Sequence, residues 1–212
     1  MVRFITFEGG DGTGKTTQIK EVANYLGDRN RSHIVTREPG GTALGKMIRK
    51  VLLEAGATKI TASTELFLYL ADRAQHVNEI IMPALASDKI VLCDRFTDST
   101  LAYQGYGRGI DVTWLRQLND TASGVARPDL TFLFDCPVAI GLARAARRSV
   151  QSADRPQEDR FEREKLEFHE KVREGFLELA RAEPERFRTI DAARSVAEIA
   201  TQVRGILERE LV

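Results

Sequence analysis

Residues 9–17 carry the plainest chemistry in the chain. Gly9-Gly10-Asp11-Gly12-Thr13-Gly14-Lys15-Thr16-Thr17 fits G-x-x-x-x-G-K-[ST], with Gly9, Gly14, Lys15 and Thr16 in the defining places. Glycines let a backbone take positive φ and turn its N–H groups inward. Together with the start of the next helix, such N–H groups form an anion cradle. Lys15 supplies a point charge for the β- and γ-phosphates, and Thr16 offers a hydroxyl ligand to Mg²⁺. The loop points to a nucleoside triphosphate and leaves the reaction open.

Further reactive groups stand at other points. Asp94 closes the apolar run KIVLCD, where a carboxylate supports Mg²⁺ in proteins with such a loop; otherwise it is a solvated strand end. Arg95 beside it can bridge phosphates with its forked guanidinium, or make a surface salt bridge. Tyr69 and Arg73 share a helix face at i, i+4. They suit a stacked base with its edge hydrogen-bonded, or equally a core-edge tyrosine beside a salt-bridged arginine. Arg144, Arg147, Arg148, Arg155 and Arg160 lie among Ser, Gln, Asp and Pro between 144 and 160. That run is either a solvated, mobile surface excursion or a lid that brings charge to a transferring phosphoryl group.

The elements that position these groups alternate. Val2–Glu8, His33–Thr36, Lys89–Asp94, Leu130–Asp135 and Phe187–Ile190 are short apolar runs read as strands. Ile19, Val22, Ala23 and Leu26 mark a first amphipathic helix. Ala43–Glu54 is helical and carries Arg49; Thr61–Ala86 reads as one long helix. Asp98–Gly109 is polar and glycine-punctuated, and Asp111–Gly124 is a further helix. Pro137 opens a helix, Phe161–Ala182 continues one, and Val196, Ile199, Val203, Ile206 and Leu207 mark the last. Alternation of this kind predicts a three-layer α/β/α fold with a five-stranded parallel sheet, ligands gathering at the carboxyl ends of its strands. One domain over 1–212, with a mobile lid at about 144–160, is the expected organisation.

Composition narrows the classes. The 31 basic and 31 acidic residues cancel, so bulk charge gives no reason to expect nucleic acid or an acidic membrane surface. No apolar run approaches the ~20 residues that span a bilayer, and the N-terminus lacks a signal-peptide layout. Cys93 and Cys136 are expected as buried free thiols in a cytosolic chain. His33, His76 and His169 show no metal-ligand spacing and are expected to be structural or surface residues. Trp114 is expected to pack.

Taken together, the motifs resemble bacterial-type thymidylate kinases, members of the P-loop nucleoside monophosphate kinases, over nearly the whole chain. The residues that carry the likeness are Phe7–Gln18, Thr36-Arg37-Glu38-Pro39-Gly40-Gly41-Thr42, Ala71-Asp72-Arg73, Asp94-Arg95-Phe96, Asp98-Ser99 and Ala102-Tyr103-Gln104-Gly105. The resemblance implies phosphorylation of dTMP to dTDP by ATP with Mg²⁺, in a cytoplasmic homodimer. It places Asp11 near the 3′-hydroxyl of the acceptor, with Glu38, Pro39, Arg49, Arg95 and Ser99 on the monophosphate side. Tyr69 would stack on thymine. Arg73, Thr100 and Gln104 would meet the base edge, and Tyr103 would crowd the sugar 2′ position. Arg160 and Glu162 match the pattern just after the lid, with Glu162 a further metal candidate. Some thymidylate kinases carry a catalytic arginine where this chain has Gly12. The missing charge is then expected from the lid, with Arg148 ahead of Arg144.

Two other classes compete. A GTPase switch needs a guanine-reading N-K-x-D, which is absent from the sequence. A nucleic-acid motor sits poorly with a neutral chain of this size. Another nucleoside or nucleotide kinase is the chief enzymatic alternative.

Overall fold

The computed structural model describes residues 2–53, 60–151, 160–162 and 164–211, with the backbone alone for 148–151. In chain order the elements are β1 (Phe4–Glu8), α1 (Lys15–Asp28), β2 (His33–Arg37), α2 (Ala43–Leu53), α3 (Ala62–His76), α4 (Met82–Ala86), β3 (Ile90–Asp94) and α5 (Thr97–Thr100). There follow α6 (Val112–Ser123), β4 (Leu130–Asp135), α7 (Val138–Gln151), α8 (Leu166–Ala182), β5 (Phe187–Asp191) and α9 (Val196–Glu210). All five strands are parallel, in the order β2-β3-β1-β4-β5. The strand before the Gly-rich loop is therefore the central one, with Ile5 level with Leu92 on one side and Leu130 on the other.

The two-residue period of β1 sorts its side chains between layers. Ile5 and Phe7 pack with Ile19, Val22 and Leu26 of α1 and Ile199, Val203 and Leu207 of α9. Phe4 faces the other layer, with Phe96, Val77 and Ile81. On that second face Leu133 and Phe187 meet Leu66, Leu70, Phe176 and Leu179. Thr6 and Glu8 also lie there, fully buried and polar. Thr6 finds its partner in the Thr131 hydroxyl, 2.7 Å away.

Three elements differ from the sequence reading. The helix over 61–86 is continuous but not uniform: α3 passes at His76 into a π-helical turn, Val77–Ile81, and α4 follows with Pro83 in its first turn. Proline lacks an N–H and clashes with the carbonyl four residues back, and a wider turn relieves both. Asp98–Gly109, read as polar and glycine-punctuated, is helical as far as Gly107: α5 runs into a π-helical segment, Leu101–Gly107, whose Leu101, Ala102, Tyr103, Gln104 and Gly105 are buried. Arg144 to Gln151 continue α7. Residues 152–159, most of the expected lid and Arg155 with it, lie outside the described residues.

Trp114 is 43% exposed rather than packed. The buried face of α6 is Leu115, Asn119 and Ser123, at i, i+4, i+8, and Trp114 stands one position off that line. Both cysteines are buried and free.

Candidate active site

The loop Gly9–Gly14 leaves the end of β1 and enters α1, with Gly9, Gly12 and Gly14 at φ 133°, 70° and 89°. At Gly9 a Cβ would stand 2.3 Å from the Phe134 carbonyl oxygen. At Gly12 it would stand 1.9 Å from the carbonyl oxygen of Gly141 in α7. Both positions need glycine for conformation and for space.

Lys15 is buried and folded back into its own loop. Its Nζ donates to the carbonyls of Gly9 (3.1 Å) and Gly10 (2.7 Å) and to the Thr13 hydroxyl (3.3 Å). Burial, reinforced by the Arg95 charge, lowers its pKa to about 8. The Thr16 hydroxyl donates to Asp94 Oδ2 at 3.0 Å, joining the first residues of α1 to the end of β3. A hydroxyl and a carboxylate oxygen meeting beside a phosphate cradle are the hard donors that Mg²⁺ takes. The pair fits that ion. Glu162 lies in the 160–162 turn beside Phe161.

Arg95 has a left-handed backbone, φ 69°, a strained conformation for a side chain of its size. Its guanidinium donates to Gly9 O (2.9 Å), Ser99 Oγ (3.1 Å), Asp11 Oδ1 (2.8 Å) and Tyr103 Oη (3.2 Å). Lys15 and Arg95 thus reach the same Gly9 carbonyl from two sides. Asp11 also accepts from the Tyr103 hydroxyl, at 3.2 Å. Burial works to raise its pKa, and Arg95 followed by Lys15 outweighs it, holding the carboxyl below the usual range.

Glu8, not singled out from the sequence, organises the Arg95 turn. Its carboxylate accepts from the Phe96 N–H (2.7 Å) and the Ser99 hydroxyl (2.6 Å). Burial, then the Asp98 charge, raises its pKa to about 8, against Ser99, Arg95 and the Phe96 N–H. The one available signal was its place as a lone charge ending an apolar strand.

The second rim segment is Glu38-Pro39-Gly40, with a cis Glu38–Pro39 bond. Glu38 is buried and accepts from Arg73 Nε (2.8 Å) and meets His76 Nδ1 (2.9 Å). Arg73 is 1% exposed and also donates to Thr100 Oγ1 (3.0 Å), Asn119 Oδ1 (2.6 Å) and Phe96 O (3.1 Å). Four of its five N–H groups therefore have protein partners. It is first a structural hub, the salt-bridged arginine of the plainer reading, with one N–H over for a ligand. Asp72 receives the Gly40 N–H (3.0 Å) on one oxygen while the other has no hydrogen-bond partner among the described residues, and burial followed by Glu38 raises its pKa to about 6. Arg49 Nη1 donates to Pro39 O at 3.0 Å.

Glu65, Tyr69 and Arg73 lie at i, i+4, i+8 on α3. Across from them Arg73 meets Thr100 (3.0 Å), and Glu65 accepts from Gln104 Nε2 (2.8 Å). The half-buried Tyr69 lies between these two rungs. Glu65 also accepts from Arg108 Nε (3.3 Å) and Nη2 (3.2 Å) and from Arg160 Nη2.

The lid arginines are placed unevenly. Arg144 donates to the carbonyls of Ala192 (2.6 Å) and Ala193 (3.3 Å), after β5, and so faces that loop. Arg160 is tied to Glu65 and Leu52 O. Arg147 is exposed on α7, and Arg148 is helical.

A Gly-rich loop after the central strand of a parallel sheet, a buried lysine inside it and a hydroxyl–carboxylate pair beside it define a P-loop protein. Comparisons make the family specific. The family model described as Thymidylate kinase matches residues 7–203. Thymidylate kinase from Geobacter sulfurreducens is 56% identical over 207 residues, covering 98% of this chain and 97% of that one. That of Desulfovibrio desulfuricans is 51% identical, covering 98% and 96%. The crystal structure of thymidylate kinase from Ehrlichia chaffeensis has a TM-score of 0.77 at 37% identity, covering 97% of this chain and 98% of that one. The chain belongs to the thymidylate kinase family.

Proposed function

We propose that this chain transfers the γ-phosphoryl group of ATP to dTMP, giving ADP and dTDP. The observation that carries this reading is the convergence of Lys15 Nζ (3.1 Å) and Arg95 Nη1 (2.9 Å) on one oxygen, the Gly9 carbonyl. Lys15 comes from the triphosphate loop and Arg95 from the neighbouring strand end. A phosphoryl group passing between two nucleotides needs a cation from each side, because its three equatorial oxygens carry spread negative charge.

The P-loop N–H groups and Lys15 take the ATP phosphates, and Lys15 exchanges its loop carbonyls for phosphate oxygens. Arg95 moves from Asp11 to the acceptor phosphate, leaving Asp11 for the 3′-hydroxyl. Thr16 and Asp94 would hold Mg²⁺, which would supply positive charge to the triphosphate. Tyr69 stacks the thymine ring between the Arg73–Thr100 and Glu65–Gln104 rungs, and Gln104 meets the base edge. The Tyr103 ring is packed edge-on against Phe161, Phe168 and Phe176, so it cannot yield to a ribose 2′-hydroxyl. Gly12 supplies no charge, and the 144–160 region supplies the remaining cation, Arg148 first. Arg144, turned toward the loop after β5, ranks lower than its sequence position suggested.

The working unit is a single domain that forms a homodimer. Leu44, Met47 and Val51 line one face of α2, and Phe67 stands on the neighbouring α3, all 41–62% exposed. A second copy covers such a stripe economically. The compartment is the cytoplasm, and no described helix is long and apolar enough to cross a membrane. Measuring ADP release with dTMP in wild type and Lys15→Ala tests the reaction. Wild-type turnover in a folded Lys15→Ala variant would contradict it.

A further inference from the structure

Gln104 is 1% exposed, and its amide has a fixed sense. Its Nε2 lies 2.8 Å from Glu65 Oε1. The side chain of Glu65 is also 1% exposed, and two guanidinium groups, of Arg108 and Arg160, meet the same carboxylate. A carboxylate held this way has no hydrogen to give, so only the NH₂ end of Gln104 can face it. The assignment of the amide follows from that chemistry. The other end, Oε1, has no donor among the described residues. What Gln104 offers outward is an acceptor.

We infer that Glu65 contributes to the selection of thymine over cytosine at N3, acting through Gln104. Thymine N3 carries a hydrogen and pairs with an outward Oε1. Cytosine N3 is a lone pair and meets the same oxygen repulsively. The two rings have nearly the same size and stack equally well, so Tyr69 cannot tell them apart. The sense of one amide can, because a buried site built for one hydrogen-bond partner leaves the wrong one unpaired. Glu65 is a positioning residue, and this role rests on the reading above that Gln104 faces the acceptor base.

Substitution should invert the readout. In Glu65→Gln the new amide still has Arg108 and Arg160 beside it, and these demand an acceptor. Its carbonyl turns to them and its NH₂ to Gln104. Gln104 then turns over and shows NH₂ to the base, which suits cytosine N3.

The test is kcat/KM for dTMP and for dCMP in wild type, Glu65→Gln, Glu65→Asp, Gln104→Leu and the Glu65→Gln/Gln104→Leu pair. The dTMP/dCMP ratio should fall by about tenfold or more in Glu65→Gln. It should hold in Glu65→Asp, which keeps an acceptor-only group. In the Gln104→Leu background the further change at Glu65 should leave the ratio alone, as expected of a residue acting only through its neighbour. Equal losses for both nucleotides in Glu65→Gln would make Glu65 merely structural and overturn the inference. An unchanged ratio in Gln104→Leu would instead take Gln104 away from the base and remove the acceptor-site reading itself. If Glu65→Gln alone does not fold, Glu65→Gln/Arg108→Gln removes both charges of the buried pair and is read the same way.

Discussion

Gly12 and Gly141 meet backbone to backbone, so that helix α7 rests on the phosphate loop. A Cβ on Gly12 would stand 1.9 Å from Gly141 O, and a Cβ on Gly141 would stand 2.5 Å from Asp11 O. This contact is a physical reason for glycine at the place where some relatives carry a catalytic arginine. An arginine here would have to push α7 away before it reached a phosphate. Gly12→Ala is expected to cost roughly 2 kcal/mol or more through overpacking and the φ of 70°. Urea unfolding checks this: a midpoint equal to wild type would mean the loop and α7 separate freely.

Lys15 gives a pH prediction. Its pKa in the ligand-free protein is lowered to about 8 by burial, with Arg95 adding to the effect. The ammonium is therefore lost as pH rises through about 8, and a neutral amine cannot hold phosphate oxygens. A profile of kcat/KM for ATP should fall above that pH, approaching roughly tenfold per unit, since this parameter reports the free enzyme. A flat profile to pH 9.5 would contradict the placement of Lys15. At pH 7 Lys15→Ala should lower kcat by about 10²-fold or more.

Glu8 should show itself in stability. Its folded pKa is about 8 against an ordinary 4.5, raised by burial first and Asp98 second. The native state then holds a proton that the unfolded state has released. Stability from this group is full below about 4.5 and is lost as pH climbs through about 8. Glu8→Gln keeps the shape and does not titrate. The melting temperature of wild type minus that of Glu8→Gln should therefore fall from pH 5 to pH 8. A constant difference would show that Glu8 keeps its charge throughout.

Parallel buried strands are apolar runs, and so the five strands and the Gly-rich loop were legible in the sequence. The rim residues Asp94, Arg95 and Glu38 were legible because each ends such a run. What was hidden depended on distant partners. No local pattern shows that Arg73 is engaged by Glu38, Thr100, Asn119 and Phe96, or that Glu8 reaches across to Ser99. The segment Leu101–Gly107 read as glycine-punctuated, and its helical form goes with distant partners: Tyr103 packs on Phe168 and Phe176 of α8, and Gln104 bonds to Glu65 of α3. Arg144 read as a lid residue from composition, while its bonds to Ala192 and Ala193 come from a loop 48 residues on.

Tyr103 supports a prediction on the sugar. Its ring is held by Phe161, Phe168 and Phe176, with the Arg95 guanidinium 5.0 Å from its centroid, while its hydroxyl bonds to Asp11 and Arg95. Tyr103→Phe should keep the preference of dUMP over UMP, because the ring does the excluding, while lowering kcat/KM for both. Competition between dUMP and UMP would show this directly. Loss of the preference in Tyr103→Phe would assign discrimination to the hydroxyl instead.

The measurement that bears most directly on the whole account is ADP formation across single acceptors: dTMP, dUMP, UMP, CMP, AMP and GMP, with a reaction lacking acceptor. Thymidylate kinase chemistry predicts dTMP first, dUMP weaker, UMP much weaker, and almost no ADP without an acceptor. Preference for AMP, or turnover that ignores the acceptor, would contradict the assignment of Arg95, Tyr69 and Gln104 to a dTMP site.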